Sequence, residues 1–477
     1  MKPTSLIKSG LWITYATFVT RIFVFLSSLV LARLLQPADF GVIGIAYVFW
    51  SFFTLFTQDT AGTFIVYKGA DNPKYVNTTY TISLLIGLGL AVAMIVAAPF
   101  VAHFFNEPAL TGILIVFSFN LLLSSATYVY SGIMTRRMQY QTLANISLAN
   151  SITRLLFTTG AALLGLGYWS FVIGDTASCL VNCLLTWCYA KYPFRLQIDP
   201  GVRSEVLTFC LGAVGSSFGL YLSFNADNFA VGKILGSASL GYYNLAYQLS
   251  MTLSGILSSL LNQLGMPVFA QLPIDKQENA LFKVVEQIAF IAAPIYALIF
   301  LVLDPQVVTL LFGAKWIAIC TVLPGLLFYA YFRVVNSPLY SMLVAKGRPD
   351  VNARVSLQIA PIAIASFVIG AYQGGIVGVS LAVALVLGIC WTIYYWWTAC
   401  TQLHWSLKKF LLPCFIPVLL SIPGIALSLP LPLLLKPFTF LLIYLCCIRV
   451  LIPQQFFQYQ TFLSKLVDRV LAFRPGR

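Results

Sequence analysis

Six ionisable side chains interrupt stretches of this sequence that are otherwise apolar: Arg21, Arg154 and Arg333, and Asp59, Asp175 and Asp227. A charge in the middle of a lipid-spanning helix costs roughly 3 kcal/mol even on lenient insertion scales, so such residues persist where they face a wet cavity or a partner. Each arginine stands about ten or more residues from both ends of its apolar run. At about 1.5 Å per residue that is about 15 Å deep, near the bilayer midplane and beyond easy snorkelling. A guanidinium is always charged, and its planar fork grips phosphate oxygens two at a time. Three of them around a hydrated cavity would attract a pyrophosphate. The alternative is three Arg–Asp pairs that hold helices together. Asp175 and Asp227 fall within about two helical turns of one membrane face and Asp59 nearer the other, which sets them apart from the arginines. A membrane-embedded carboxylate can also carry a proton or bind a cation. Asp227 is the first candidate for such ion coupling, with Asp59 and Asp175 behind it. A helix-end hydrogen-bonding role is the competing reading for Asp227.

To position these residues the chain needs helices that cross a bilayer. Its 477 residues are 60% hydrophobic and only 9% charged, against about 25% charged in soluble domains. Mean hydropathy is +0.89. The apolar runs are about 20 residues long, the length of a spanning helix, and lack the alternation of a spanning strand. The sequence therefore predicts an all-α integral membrane protein of about 14 transmembrane helices. The spans fall near 10–35, 40–66, 77–102, 110–133, 142–164 and 168–190, then 206–232, 243–268, 284–303, 317–344, 353–371 and 376–400, with two more at 410–428 and 432–450. The first run is too long for a cleaved signal and reads as a retained span. On this map Arg33, Lys233, Lys315 and Lys436 lie on one side of the membrane. Apart from the three arginines within spans, the rest of the 28 Lys and Arg residues lie on the other side, with the N-terminus. The positive-inside rule then makes both termini cytoplasmic.

The segment VLARLLQPADFGVIGIAYVF (Val30–Phe49) returns 200 residues later within NADNFAVGKILGSASLGYYNLAYQ (Asn225–Gln248). Arg33 aligns with Lys233, Leu35 with Leu235, Ala38 with Ala238, Gly41 with Gly241, Ala46 with Ala246 and Tyr47 with Tyr247. Such self-similarity indicates a duplicated unit. An even number of spans per unit makes the repeat parallel, with the ligand site between the halves. The expected division is an N-terminal six-helix lobe over 1–202 and a C-terminal six-helix lobe over 203–402. Residues 403–477 then supply two additional spans and, from Gln454 onward, an amphipathic tail on the inner leaflet. Asn336–Ser337–Pro338 and Pro294 are hinge candidates, and the aromatic cluster WTIYYWW (Trp391–Trp397) reads as an interfacial belt.

Several function classes are excluded. The net charge of +14 is explained by topology rather than by nucleic acid. The two histidines, His103 and His404, are too far apart in sequence to suggest a metal centre, and the ten cysteines lie mostly in apolar runs as small hydrophobes. No GxxxxGK[ST] loop is present, so the chain does not itself hydrolyse ATP. The longest inner loop, 191–205, lacks the DxD of a nucleotide-sugar transferase. No cofactor is expected.

ARLLQPADFG (Ala32–Gly41), DNFAVGKILGSASLGYYNLAYQL (Asp227–Leu249), LLFGAKW (Leu310–Trp316) and AKGRPD (Ala345–Asp350) resemble the polysaccharide transporter family. This is the lipid-linked oligosaccharide flippase branch of the multidrug/oligosaccharidyl-lipid/polysaccharide exporter superfamily. The resemblance runs over roughly residues 5–400. It implies two six-helix lobes around a cavity that opens alternately to each side of a bacterial inner membrane. It also implies export of undecaprenyl-pyrophosphate-linked repeat units for O-antigen or exopolysaccharide, with cationic cavity residues on the pyrophosphate. Arg21 sits where relatives have a basic residue in the first span, whereas Ser27 and Ser28 replace the further charges of lipid II flippases. Partners implied are the polyprenyl-linked oligosaccharide, the bilayer, and polysaccharide polymerase and chain-length proteins. Two alternatives stand beside this: an ion-coupled multidrug or small-molecule exporter, whose relatives have twelve spans and acid-rich cavities, and a membrane polysaccharide polymerase, which would expose a large outer loop.

Overall fold

The computed structural model describes residues 3–57, 60–69 and 72–453. The first half of the chain forms α1 (Pro3–Leu34), α2 (Pro37–Thr54), a short α3 (Ala61–Lys68), α4 (Pro73–Phe105), α5 (Ala109–Arg136), α6 (Tyr140–Leu163) and α7 (Trp169–Ala190). The second half forms α8 (Pro200–Gln271), α9 (Ile274–Val302), a short α10 (Pro305–Phe312), α11 (Ile319–Ala345), α12 (Pro349–Ala382), α13 (Trp391–Leu403), α14 (Leu407–Ser428) and α15 (Lys436–Leu451). Local sequence sets the helix starts. Asn72, Asp199 and Asp304 accept hydrogen bonds from backbone N–H groups two residues on, each just ahead of a proline that cannot donate one. Among the described residues there is no strand, and eight helices are long and apolar enough to cross a membrane.

Helices α8 and α12 each contain a reversal. In α8 the break is Gly236, at φ 84° and ψ 175°, a conformation open to glycine and strained for other residues. The Tyr243 hydroxyl donates to Asp227 Oδ2 at 2.7 Å although the two are 16 residues apart, a span of about 24 Å in a straight helix. The arms 200–235 and 237–271 therefore fold back on each other. Gly375 breaks α12 in the same way. Residues 383–390 continue α12 into α13 as a π-helical stretch.

Some expectations need correction. The run 40–66 is not one span: α2 ends at Thr54 and α3 begins at Ala61. Pro294 and Pro338 lie inside continuous helices. Asn336 is fixed there, donating to Thr392 Oγ1 at 2.7 Å and accepting from Trp396 Nε1 at 3.0 Å. The Trp391–Trp397 cluster is only partly an interfacial belt, because Trp396 is buried and stacked on Phe410 at 4.7 Å. The tail from Gln454 lies outside the described residues.

α2 packs against α8, and there residues 200 apart make reciprocal contacts. A methyl group at Gly41 would stand 1.7 Å from the Ser237 carbonyl oxygen, and one at Gly241 would stand 1.8 Å from that of Pro37. The pair 37/41 thus meets 237/241 in a self-complementary arrangement that a two-fold relation generates. Basic residues repeat the exchange. Arg33 donates to the carbonyls of Leu310 and Leu311 on α10, and Lys233 donates to the carbonyl of Phe104 at the end of α4. Lys315 and Trp316 add bonds to the α1 end, on the carbonyls of Leu35 at 2.6 Å and Ala32 at 2.7 Å. At this end of the bundle the two halves are shut.

Candidate functional site

Away from that sealed end the helices part around polar side chains. Arg154 on α6 places Nε 2.5 Å from Asp175 Oδ1 on α7, and its Nη2 donates to the Tyr47 hydroxyl on α2 at 2.8 Å. The same hydroxyl donates to Asp175 Oδ2 at 2.6 Å, closing a three-residue ring. The ring is half-wet: 37% of the Arg154 side chain and 19% of that of Asp175 are exposed. Arg154 and Tyr47 face a cavity of about 410 Å³ walled by α1, α2, α6, α7 and both arms of α8. Its polar lining is mostly uncharged: Ser27, Ser28, Ser51, Asn150, Asn225, Asn228, Asn244 and Gln248. Gln248 donates to Ser28 Oγ at 2.6 Å, tying α8 to α1 across the chamber. A neighbouring hollow of about 400 Å³ shares Tyr47, Ser51, Asn150, Arg154 and Ser178 and adds Trp50, Asn120 and Asp175.

Arg333 occupies a second chamber, of about 320 Å³, in the other half. Its walls come from α8 (Ser258), α11 (Tyr329, Asn336, Ser337 and Tyr340), α12 (Asn352 and Ser356), the π-helical stretch (Leu387) and α13 (Trp391 and Tyr395). The guanidinium lies against Tyr247 and Tyr329. Tyr395 donates to Asn352 Oδ1, and buried Asn352 Nδ2 is a donor with no acceptor among the described residues. The wider π-helical turn lies one residue before Trp391, in keeping with the tendency of such bulges to mark functional positions.

The six residues singled out by sequence thus divide. Arg154 and Arg333 line separate chambers and do not share one. Arg21 is exposed and lies beside Gly255 on α8, next to Thr20, Phe23 and Val24 of the first chamber but not in its lining. Asp175, set apart from the arginines by its sequence position, pairs with Arg154 because the α6–α7 hairpin brings the two to one level. Asp227 is 1% exposed and accepts hydrogen bonds from Tyr243 and from the backbone N–H of Asn228 at 2.8 Å. Asp59 lies outside the described residues. Sequence reasoning missed the carboxamides and serines of the first chamber. Their signal was a helical spacing of polar residues within apolar runs, as in Asn225 and Asn228, or Asn244 and Gln248.

The fold, an all-helical bundle with reciprocal contacts between its halves and polar chambers inside, is shared by solved structures. The lipid II flippase MurJ in an inward closed conformation superposes with a TM-score of 0.76 at 12% identity, covering 93% of this chain and 99% of that one. A multidrug resistance transporter of the MATE family in an inward-facing conformation gives 0.63 at 13% identity, over 84% of this chain and 99% of that one. Residues 30–321 match the family model described as polysaccharide biosynthesis protein, and the chain belongs to that family. The lipopolysaccharide biosynthesis protein WzxC of Escherichia coli strain K12 is 23% identical over 439 residues, 90% of this chain and 88% of that protein. The chain is a multi-pass membrane protein of the polysaccharide biosynthesis family, with the fold of those flippase and multidrug-transporter structures.

Proposed function

We propose that the protein is a flippase that carries undecaprenyl-pyrophosphate-linked oligosaccharide repeat units across the bacterial inner membrane by alternating access. The observation that carries this reading is the polar chamber walled by both halves of the chain, with Arg154 at its wall and Arg333 in a companion chamber. A polar head crossing hydrocarbon needs such a lining, and no bond need be broken. In this reading residues 1–202 and 203–402 are two six-helix lobes, with 403–477 appended, about 14 spans in all and both termini cytoplasmic. The end sealed by Gly41, Gly241, Arg33 and Lys233 is then periplasmic, and the chambers load from the cytoplasm. Arg333 and Arg21 attract the pyrophosphate. The chamber between α9, α11 and α14, about 260 Å³ and almost wholly apolar, suits part of the lipid tail. Asp227 is the residue through which an ion gradient would act, since its carboxylate joins the two arms of α8 near the seal. Asp175, held by Arg154, plays that part less directly, and Asp59 stands as a sequence candidate. Polymerase and chain-length proteins would receive the exported unit.

The test is reconstitution into liposomes carrying a fluorescent undecaprenyl-pyrophosphate trisaccharide, with a membrane-impermeant quencher reporting its leaflet. The parent should equilibrate the lipid between leaflets, and protein-free vesicles should not. Equal rates in the two would overturn the proposal.

A further inference from the structure

The two chambers differ in charge chemistry, and that difference bears on which part of the substrate each receives. We infer that the Arg154 chamber is a glycan site selective for an uncharged sugar; this rests on the flippase reading above. Among the described residues lining the larger cavity, Arg154 alone carries a formal charge, and Asp175 neutralises it at 2.5 Å. Tyr47 donates to Asp175 and accepts from Arg154, so the ring balances its own charge and takes up the Nε–H and one Nη2–H of the guanidinium. An incoming anion therefore finds no net positive charge there. The remaining polar lining consists of carboxamides and hydroxyls.

Three buried atoms of that lining have no partner among the described residues: Asn150 Oδ1, Asn228 Oδ1 and Thr158 Oγ1. Carboxamide oxygens only accept hydrogen bonds. A ligand that completes this lining must bring donors, which sugar hydroxyls and acetamido N–H groups supply. A diphosphate or a uronate carboxylate brings only acceptors at neutral pH. Phe40 and Phe171, at the same wall, offer apolar surface to the C–H face of a pyranose. The chamber thus offers a neutral glycan acceptors and apolar faces, and among its described residues it offers an acidic one no uncompensated cation. Arg154 acts as a positioning residue that fixes Tyr47 and Asp175.

The experiment uses the full-length protein in liposomes with two lipid-linked trisaccharides on the same undecaprenyl pyrophosphate. One is built of neutral hexose and N-acetylhexosamine, and the other carries a hexuronic acid. The parent should move the neutral glycan at least about tenfold faster. Asp175→Asn leaves Arg154 uncompensated and should shrink that ratio by about tenfold. Asn228→Asp, nearly the same shape, adds a negative charge and should widen the ratio while slowing both substrates. Should Asp175→Asn fail to fold, the Asn228→Asp ratio alone decides. A parent that moves both glycans alike, or the acidic one faster, overturns this inference and leaves the flippase reading standing. So does a folded variant pair whose ratios stay within twofold of the parent. A parent that moves neither glycan overturns both.

Discussion

Tyr47 and Tyr247, 200 residues apart, each hold an arginine, yet the two arginines sit in unlike company. Tyr47 shares Arg154 with a carboxylate, Asp175, in a closed ring. Tyr247 meets Arg333 beside a second tyrosine, Tyr329, in a chamber whose described lining includes no carboxylate. The tyrosine recurs at the offset of 200, and what surrounds it differs. The lesson is that a guanidinium deep in a membrane is not by itself an anion site. One of these two is paired with a carboxylate, and the other faces a chamber lined by hydroxyl and amide groups.

The largest effect that could break this contrast is on transport. Arg333→Ala should lower the flipping rate by about tenfold to a hundredfold, the worth of a charge-assisted contact of roughly 1.5–3 kcal/mol, with a smaller fall in melting temperature than Arg154→Ala. A similar fall in melting temperature for Arg333→Ala and Arg154→Ala would erase the distinction. Next in size, Arg154→Ala leaves Asp175 without its cation. Breaking a fully buried pair costs roughly 3–5 kcal/mol; this pair is partly wet, so about 2 kcal/mol is expected in thermal unfolding in detergent. The double variant Arg154→Ala/Asp175→Ala should recover much of that loss, because the stranded charge is gone.

Tyr47→Phe should cost about 1 kcal/mol of stability by opening the ring. Tyr247→Phe should instead slow flipping severalfold, and the pair of measurements sharpens the comparison of the duplicated tyrosines. The smallest effect concerns an ion pair away from both chambers, Lys436 with Asp304 at 2.5 Å. The Lys436 ammonium holds the Asp304 carboxyl below its usual range. A depressed carboxylate stabilises the fold above its unfolded pKa, about 3.9, and the contribution is lost as pH falls through the lower folded value. Lys436→Met should therefore melt earlier than the parent at pH 7, by about 1 kcal/mol or less, and the gap should close below about pH 4. Flipping should not change.

Much of the framework was legible before any coordinates. Long apolar runs gave the membrane class, and the offset of 200 pointed to the residues that meet where α2 crosses α8. Gly41 and Gly241 were visible as aligned glycines, although only the structure reveals each lying under the other half's backbone. Arg154 and Arg333 stood out because a charge in hydrocarbon is expensive wherever it falls. The pairing of Arg154 with Asp175 did not, because depth counted along two separate helices says nothing about how a hairpin aligns them. Asn150, Asn228, Asn244 and Gln248 escaped notice for a different reason. A neutral amide in a span is a mild anomaly, and its meaning depends on which neighbours it faces. The reversals at Gly236 and Gly375 were anticipated as span boundaries, whereas the π-helical stretch 383–390 left no signal in its uniformly apolar sequence.

The most direct test of the division between chambers is a cryo-electron microscopy map of the protein in lipid nanodiscs with an undecaprenyl-pyrophosphate-linked neutral trisaccharide. Sugar density against Asn150 and Asn228, with the diphosphate beside Arg333, is the predicted result. Diphosphate density seated on Arg154, or sugar packed around Arg333 with the amide-lined chamber empty, would contradict it.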